Sequence, residues 1–221
     1  WKSCTTATIA FEYKRLLTAY AIKTGAPLDF VAVQGHDFSS RGMSGIYDAT
    51  QNGVGHLTSF IGTDAVSAID YAEEYYDADG IVGVSVPATE HSVMCMGSED
   101  NEIETFRRLI TELYPSGVVS IVSDTWDFWR VITEFTVELK DEILARQPNA
   151  LGLAKLVFRP DSGDPVKIIC GDPEAEMGSP AYKGAVQCLW EIFGGTETDQ
   201  GYKVLNERVG LIYGDTITLE R

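Results

Sequence analysis

Val118-Val119-Ser120-Ile121-Val122, followed at once by Ser123-Asp124-Thr125, is an apolar, β-branched run that stops abruptly at polar residues. A strand with one wet face alternates apolar and polar positions. This run does not alternate, as expected of a parallel sheet covered on both faces. Residues 28–33, 81–86, 155–158 and 209–213 also read as strands, and 57–61 is a further apolar run. Between them lie stretches with helical spacing: 5–23, stopped by Gly25; 65–76, which Thr63 or Asp64 can cap; 102–114; 126–146; and 181–193, closed by Gly194-Gly195. The Pro/Gly-rich stretch 161–180 reads mostly as loop, with one short strand at 166–169. Strands alternating with helices predict an α/β fold of about six β–α units around a largely parallel sheet. Polar motifs follow strands rather than helices and so gather on one face, which favours a (β/α) barrel-like architecture.

The chain has 221 residues, enough for one sizeable core, and residues 1–221 read as a single domain. Its net charge is −16, from 33 acidic and 17 basic residues. Such a surface argues against nucleic-acid and membrane binding, which use basic patches, but leaves room for an anionic small substrate gripped by a few focused arginines. No apolar run approaches the roughly 20 residues of a membrane span, and no signal peptide is evident. Cys4, Cys95, Cys170 and Cys188 form no C-x-x-C pair, so the reading is a reducing cytoplasm without disulfides or zinc. The chain starts at Trp1 rather than Met and ends just after a strand, and it reads as an internal piece of a longer protein.

Three segments concentrate chemistry at strand ends: Gly35-His36-Asp37-Phe38-Ser39-Ser40-Arg41-Gly42, Pro87-Ala88-Thr89-Glu90-His91-Ser92, and Arg159-Pro160-Asp161-Ser162-Gly163. His91, next to Glu90, has the residue type of a general acid or base or of a phosphoryl-accepting nucleophile; the plainer alternative is a hydrogen-bonded loop histidine. Arg41 and Arg159 sit in turn chemistry that suits bidentate phosphate binding, against the alternative of an ordinary Arg–Asp loop pair. Asp161 can orient Arg159 or take a sugar hydroxyl or Mg²⁺. Phe38 is a ring in a polar loop, fit to stack on a flat base or to plug the barrel end. Asp64, Asp127 and Asp215 each end or follow a strand; singly they read as helix caps, together as acceptors around a pocket. Gly53-Val54-Gly55-His56 lacks the third glycine of a dinucleotide fingerprint.

In this order, His36-Asp37-Phe38-x-x-Arg41-Gly42, Gly62-Thr63-Asp64, Ser85-Val86-Pro87-Ala88-x-Glu90-His91-Ser92, Val122-Ser123-Asp124-x-x-Asp127, Arg159-Pro160-Asp161-Ser162-Gly163 and Gly214-Asp215 resemble the nicotinamide phosphoribosyltransferase family. The resemblance covers essentially the whole chain. It implies a pentosyltransferase with the type II phosphoribosyltransferase barrel, incomplete within these residues. The reaction implied moves phosphoribose from 5-phosphoribosyl 1-pyrophosphate (PRPP) to nicotinamide, giving nicotinamide mononucleotide and pyrophosphate in NAD biosynthesis.

By the same resemblance, Phe38 stacks on the pyridine ring, Asp64 accepts the carboxamide N–H and sets base specificity, and Arg41 and Arg159 contact base and phosphates. Ser123, Asp127 and Gly214 fall among the substrate-binding positions. Asp161 and Asp215 hold the ribose and the Mg²⁺-pyrophosphate region. His91, with Glu90 beside it, takes a phosphoryl group from ATP, so that His91, Asp161 and Glu90 form the catalytic set. A cytoplasmic homodimer is implied, with an aromatic residue from a segment before Trp1 reaching the partner's base and a phosphate-binding glycine loop beyond Arg221. Segment 170–180 departs from the family's usual loop and helix. Two alternatives remain: a nicotinate phosphoribosyltransferase, and a truncated, non-catalytic nucleotide-binding fragment.

Overall fold

A computed structural model describes residues 1–214 and 217–219, which divide into two units: Trp1–Ser85 with Glu197–Tyr202, and Val86–Thr196 with Lys203 onward. In the first unit, α1 (Lys2–Thr24) ends at Gly25 in the left-handed conformation, as the sequence predicts. Leu28–Val33 is a 3₁₀ helix and not the expected strand. Pro27 precedes it with φ near the helical value and Asp29 lies in its first turn, both favourable at a helix start and neither at a strand.

Two short parallel strands follow, β1 (His36–Asp37) and β2 (Gly62–Thr63), separated by α2 (Ile46–Leu57). The expected strand at 81–86 reduces to one bridge between Val84 and Gly62, because glycines at 80 and 83 and Pro87 interrupt a regular ladder. Helix α3 (Val66–Tyr75) begins beyond Ala65, whose N–H donates to the Thr63 hydroxyl; Asp64 provides no cap. Val54, Ala65 and Ala68 form the small core of this unit, flanked by Leu57 and Tyr71.

The second unit opens with α4 (His91–Cys95) and α5 (Glu102–Arg108), the latter continuing into a π turn at Leu109–Leu113. Then comes β3 (Gly117–Val122), apolar but for Ser120 and buried at five of its six positions. The long helical stretch expected at 126–146 is present but broken: α6 (Phe128–Arg130), a π turn at Val131–Phe135, α7 (Thr136–Glu138) and α8 (Lys140–Leu144). Strand β4 (Ala154–Arg159) pairs parallel with β3.

Residues 166–169 are helical, within α9 (Pro165–Cys170), and not a strand. The Asp164 carboxylate accepts from the Val166 and Lys167 N–H groups, and Pro165 fills the first helical position. That start signal overrides the β-branched composition of the segment. Next come α10 (Pro180–Lys183) and α11 (Ala185–Phe193), interrupted at Gly184, then β5 (Gly195–Glu197), β6 (Lys203–Leu205) and β7 (Val209–Leu211). The sheet order is β3-β4-β7, all parallel. Val119, Ile121, Leu156 and Phe158 share one core with Phe106, Ile110, Ile132, Phe135 and Leu189 from the helices, and the consecutive buried positions 119–122 leave both faces of β3 dry. The observed class is α/β with parallel sheets.

One buried charge makes this unit pH-sensitive. Glu102 is 2% exposed and its Oε1 accepts no hydrogen bond from the described residues. Burial pushes its carboxyl from 4.5 up to about 7; Arg130 opposes the rise, and Glu99 and Asp127 add to it. The folded chain therefore holds this proton more tightly than the unfolded one. The stabilisation is complete below about pH 4.5 and is lost as pH rises through about 7. Glu102→Gln is expected to change stability little at pH 5 and to raise it by on the order of 3 kcal/mol at pH 8. Thermal melts of both proteins at the two pH values check this, and parallel Tm–pH curves would refute it.

Candidate functional site

The sequence-derived candidates fall into two clusters, one in each unit. In the first unit, the parallel pairing of β1 with β2 sets His36 level with Gly62, and the chain then turns at Asp64. Asp64 Oδ1 accepts from His36 Nε2 at 2.9 Å and from Ser85 Oγ at 2.5 Å, with the Asp64 side chain 43% exposed. His36 also packs on Phe38, ring centroids 4.5 Å apart and tilted by 31°. Asp37 faces inward, and its Oδ1 accepts the Ser39 N–H at 2.8 Å, which tightens the 3₁₀ turn Ser39–Gly42 that presents Arg41 to solvent. An exposed carboxylate, a ring and a guanidinium are thus mounted on consecutive short loops.

In the second unit, the sheet register gathers three loops. Val122 pairs with Arg159, and the Ser123 N–H donates to the Arg159 carbonyl at 2.9 Å, so β3 and β4 end level. The segment before His91 runs alongside β3: Ser120 N–H donates to Pro87 O, Thr89 N–H to Ser120 O, and Val122 N–H to the Thr89 hydroxyl. His91, Asp124 and Asp161 consequently converge. His91 Nε2 lies 3.5 Å from Asp161 Oδ2 and 3.8 Å from Asp124 Oδ1, and its Nδ1 lies 3.3 Å from Thr125 Oγ1. Arg159 is 4% exposed, with Nη2 3.5 Å from Glu90 Oε2. A buried guanidinium beside a half-exposed carboxylate fixes the base of this cluster.

From the β7 side, Tyr213 donates its hydroxyl to the Ser162 and Gly163 carbonyls at 2.6 and 2.9 Å, closing the turn after β4. Gly214 lies so near Asp161 that a Cβ there would stand 2.5 Å from its Oδ1. Ser123 and Asp127 spend their side chains locally. The Ser123 hydroxyl is fully buried and donates to Ile121 O at 2.7 Å, while Asp127 caps α6 through the Trp129 and Arg130 N–H groups. Asp215 lies outside the described residues.

Asp124 carries more of this geometry than its sequence reading suggests. Its place two residues after a buried strand is the available signal. Among the described residues, no group of three or more His, Cys, Asp and Glu side chains is arranged to hold a metal. Nor is any helix among them long and apolar enough to cross a membrane. All four cysteines are free thiols.

A nicotinamide phosphoribosyltransferase of Acinetobacter baylyi is 83% identical over 221 residues, which is all of this chain and 44% of that protein. Proteins of the same name from Mycoplasma pneumoniae and Xanthomonas campestris are 38% and 34% identical, with 45% and 42% of their lengths covered. The chain thus spans somewhat less than half the length of these curated relatives. Residues 33–221 match the profile of the nicotinate phosphoribosyltransferase (NAPRTase) family, a span that takes in both clusters, and the chain belongs to that family.

Proposed function

We propose that the protein carrying this chain transfers phosphoribose from PRPP to nicotinamide, forming nicotinamide mononucleotide and pyrophosphate for NAD biosynthesis. The observation that carries the reading is the exposed Asp64 carboxylate, steadied by His36 and Ser85. A carboxylate only accepts hydrogen bonds. It welcomes the N–H of a carboxamide and repels the carboxylate of nicotinate. Phe38 offers a face for the pyridine ring, and Arg41 a cation beside it. The names of the three relatives agree with nicotinamide as the base.

In the transfer, the bond from C1 of the ribose to the pyrophosphate oxygen breaks while the pyridine nitrogen bonds to C1. Carboxylates near the ribose stabilise the positive charge that develops on the sugar. Asp161, with its side chain 27% exposed at the rim of the second cluster, suits that place. Mg²⁺ would be held by the pyrophosphate oxygens of PRPP with Asp161 and Asp215 as the carboxylates, and would supply positive charge to the departing pyrophosphate. Arg159 and, outside the described residues, Asp215 belong to the phosphate and ribose end.

His91 receives the phosphoryl group of ATP. Carboxylates on the Nε2 side favour the proton there, so the lone pair sits on Nδ1, beside the Thr125 hydroxyl. The imidazole attacks the γ-phosphorus, the bond to the bridging oxygen breaks, and ADP leaves. Residues 1–221 act as one catalytic domain of barrel-like fold, a reading supported by the parallel β3-β4-β7 order. A homodimer is supported by Phe11, Tyr20 and Ile22, apolar and exposed on α1.

The test is chromatographic. The full-length protein is incubated with PRPP, Mg²⁺ and ATP and either nicotinamide or nicotinate. Nicotinamide mononucleotide from nicotinamide, with no product from nicotinate, is the expected result. Nicotinic acid mononucleotide as the main product would instead select the nicotinate reading.

A further inference from the structure

Asp124 lies two residues beyond the end of β3 and its side chain is only 7% exposed. One carboxylate oxygen serves the neighbouring loop: Oδ2 accepts the Asp161 N–H at 2.8 Å and the Ser162 hydroxyl at 2.6 Å. The other, Oδ1, is buried, accepts no hydrogen bond from the described residues and lies 3.8 Å from His91 Nε2. Leaving one oxygen of a buried carboxylate without a hydrogen bond is costly, and turn-holding alone does not need a charge, since an asparagine oxygen could accept the same two donors. The cost is understandable if the charge acts on the histidine.

We infer that Asp124 is a positioning residue that couples the two reacting side chains of this cluster, holding the Asp161–Ser162 turn through Oδ2 and orienting the His91 ring through Oδ1. The inference rests on the role proposed above for His91 only in its second half; the hold on the turn stands apart from it. A carboxylate behind an imidazole fixes both its tautomer and its tilt, as the third member of a catalytic triad does. Here the same carboxylate also fixes the backbone of Asp161, whose own Oδ2 is 3.5 Å from the ring. The spacing between His91 and Asp161 is thereby set by one buried side chain that need not meet substrate.

The test compares Asp124→Asn and Asp124→Ala with the wild type in the full-length protein. Three quantities are measured: hydrogen exchange of the peptide containing Asp161 and Ser162, label transferred from γ-labelled ATP to His91, and kcat and KM for nicotinamide. Asp124→Asn is expected to keep slow exchange and a KM within about 3-fold, while labelling and ATP-stimulated kcat fall by about 10–100-fold, the usual cost of losing an orienting partner. Asp124→Ala should lose the slow exchange as well.

A fully labelled, fully ATP-stimulated Asn variant would overturn the orienting role. Unchanged exchange in the Ala variant would overturn the hold on the turn, and it can be read even if the wild type makes no nucleotide. A wild type that neither takes label nor makes product tells against the proposed function instead.

Discussion

Replacing His91 by Asn in the full-length protein is expected to abolish the response to ATP. Transfer of label from γ-labelled ATP should fall to background, and ATP-stimulated formation of nicotinamide mononucleotide should drop by on the order of 10²-fold or more, the scale of a lost nucleophile or proton-transfer group. The fold should survive. The His91 side chain is 44% exposed, the Asp161 and Asp124 carboxylates stand at 3.5 and 3.8 Å, beyond good hydrogen-bond length, and its hydrogen bond to Thr125 is long at 3.3 Å. Removing such contacts costs a few tenths of a kcal/mol, so the melting temperature should barely move. Loss of activity without loss of stability separates a chemical role from a packing one. A variant that still responds to ATP would remove His91 from the mechanism.

Much of the second unit was legible in the sequence because burial and local preference agree there. The run 118–122 has no polar alternation, and positions 119–122 of β3 are buried on both faces. The strand at 155–158 and the start of β7 also form where the sequence reads as strand, and Gly25 stops α1 as its conformational freedom suggests. The failures lie where local chemistry competes with composition. Val166-Lys167-Ile168-Ile169 has β-branched content, but Asp164-Pro165 is a stronger instruction than side-chain shape.

Helix α2 was missed for the opposite reason. Gly53 and Gly55 depress its helical propensity, yet both are needed, since a Cβ at Gly53 would meet the Ala68 Cβ at 2.7 Å and one at Gly55 the Ser3 carbonyl at 2.5 Å. Close packing of three helices is a tertiary fact with no local signature. In the second cluster, the motif containing His91 and that containing Asp161 were each visible. What brings them together is strand register, Val122 against Arg159, which no single motif encodes and which gives Asp124 its place.

The other large effect concerns the choice of base. Asp64→Ala in the full-length protein is expected to lower kcat/KM for nicotinamide and raise it for nicotinate, so that their ratio falls by about 10²-fold or more. Two terms act in the same direction. A hydrogen bond to a charged acceptor contributes about 1.5–3 kcal/mol, lost for nicotinamide, and like-charge opposition of several kcal/mol is relieved for nicotinate. The partners of Asp64 sharpen the expectation. His36 and Ser85 both donate to Oδ1, so the carboxylate is held by two separate side chains and is not a swinging surface group.

Ser85→Ala should therefore weaken selectivity less than Asp64→Ala, because it removes one restraint and leaves the charge. Asp64→Asn is the more discriminating variant. It keeps size and an acceptor oxygen but ends the repulsion, so nicotinate should gain while nicotinamide loses little. Parallel kcat/KM measurements with both bases read this directly. If the ratio stays at its wild-type value in Asp64→Ala, selection lies elsewhere, and the first cluster loses the feature on which the proposed function rests.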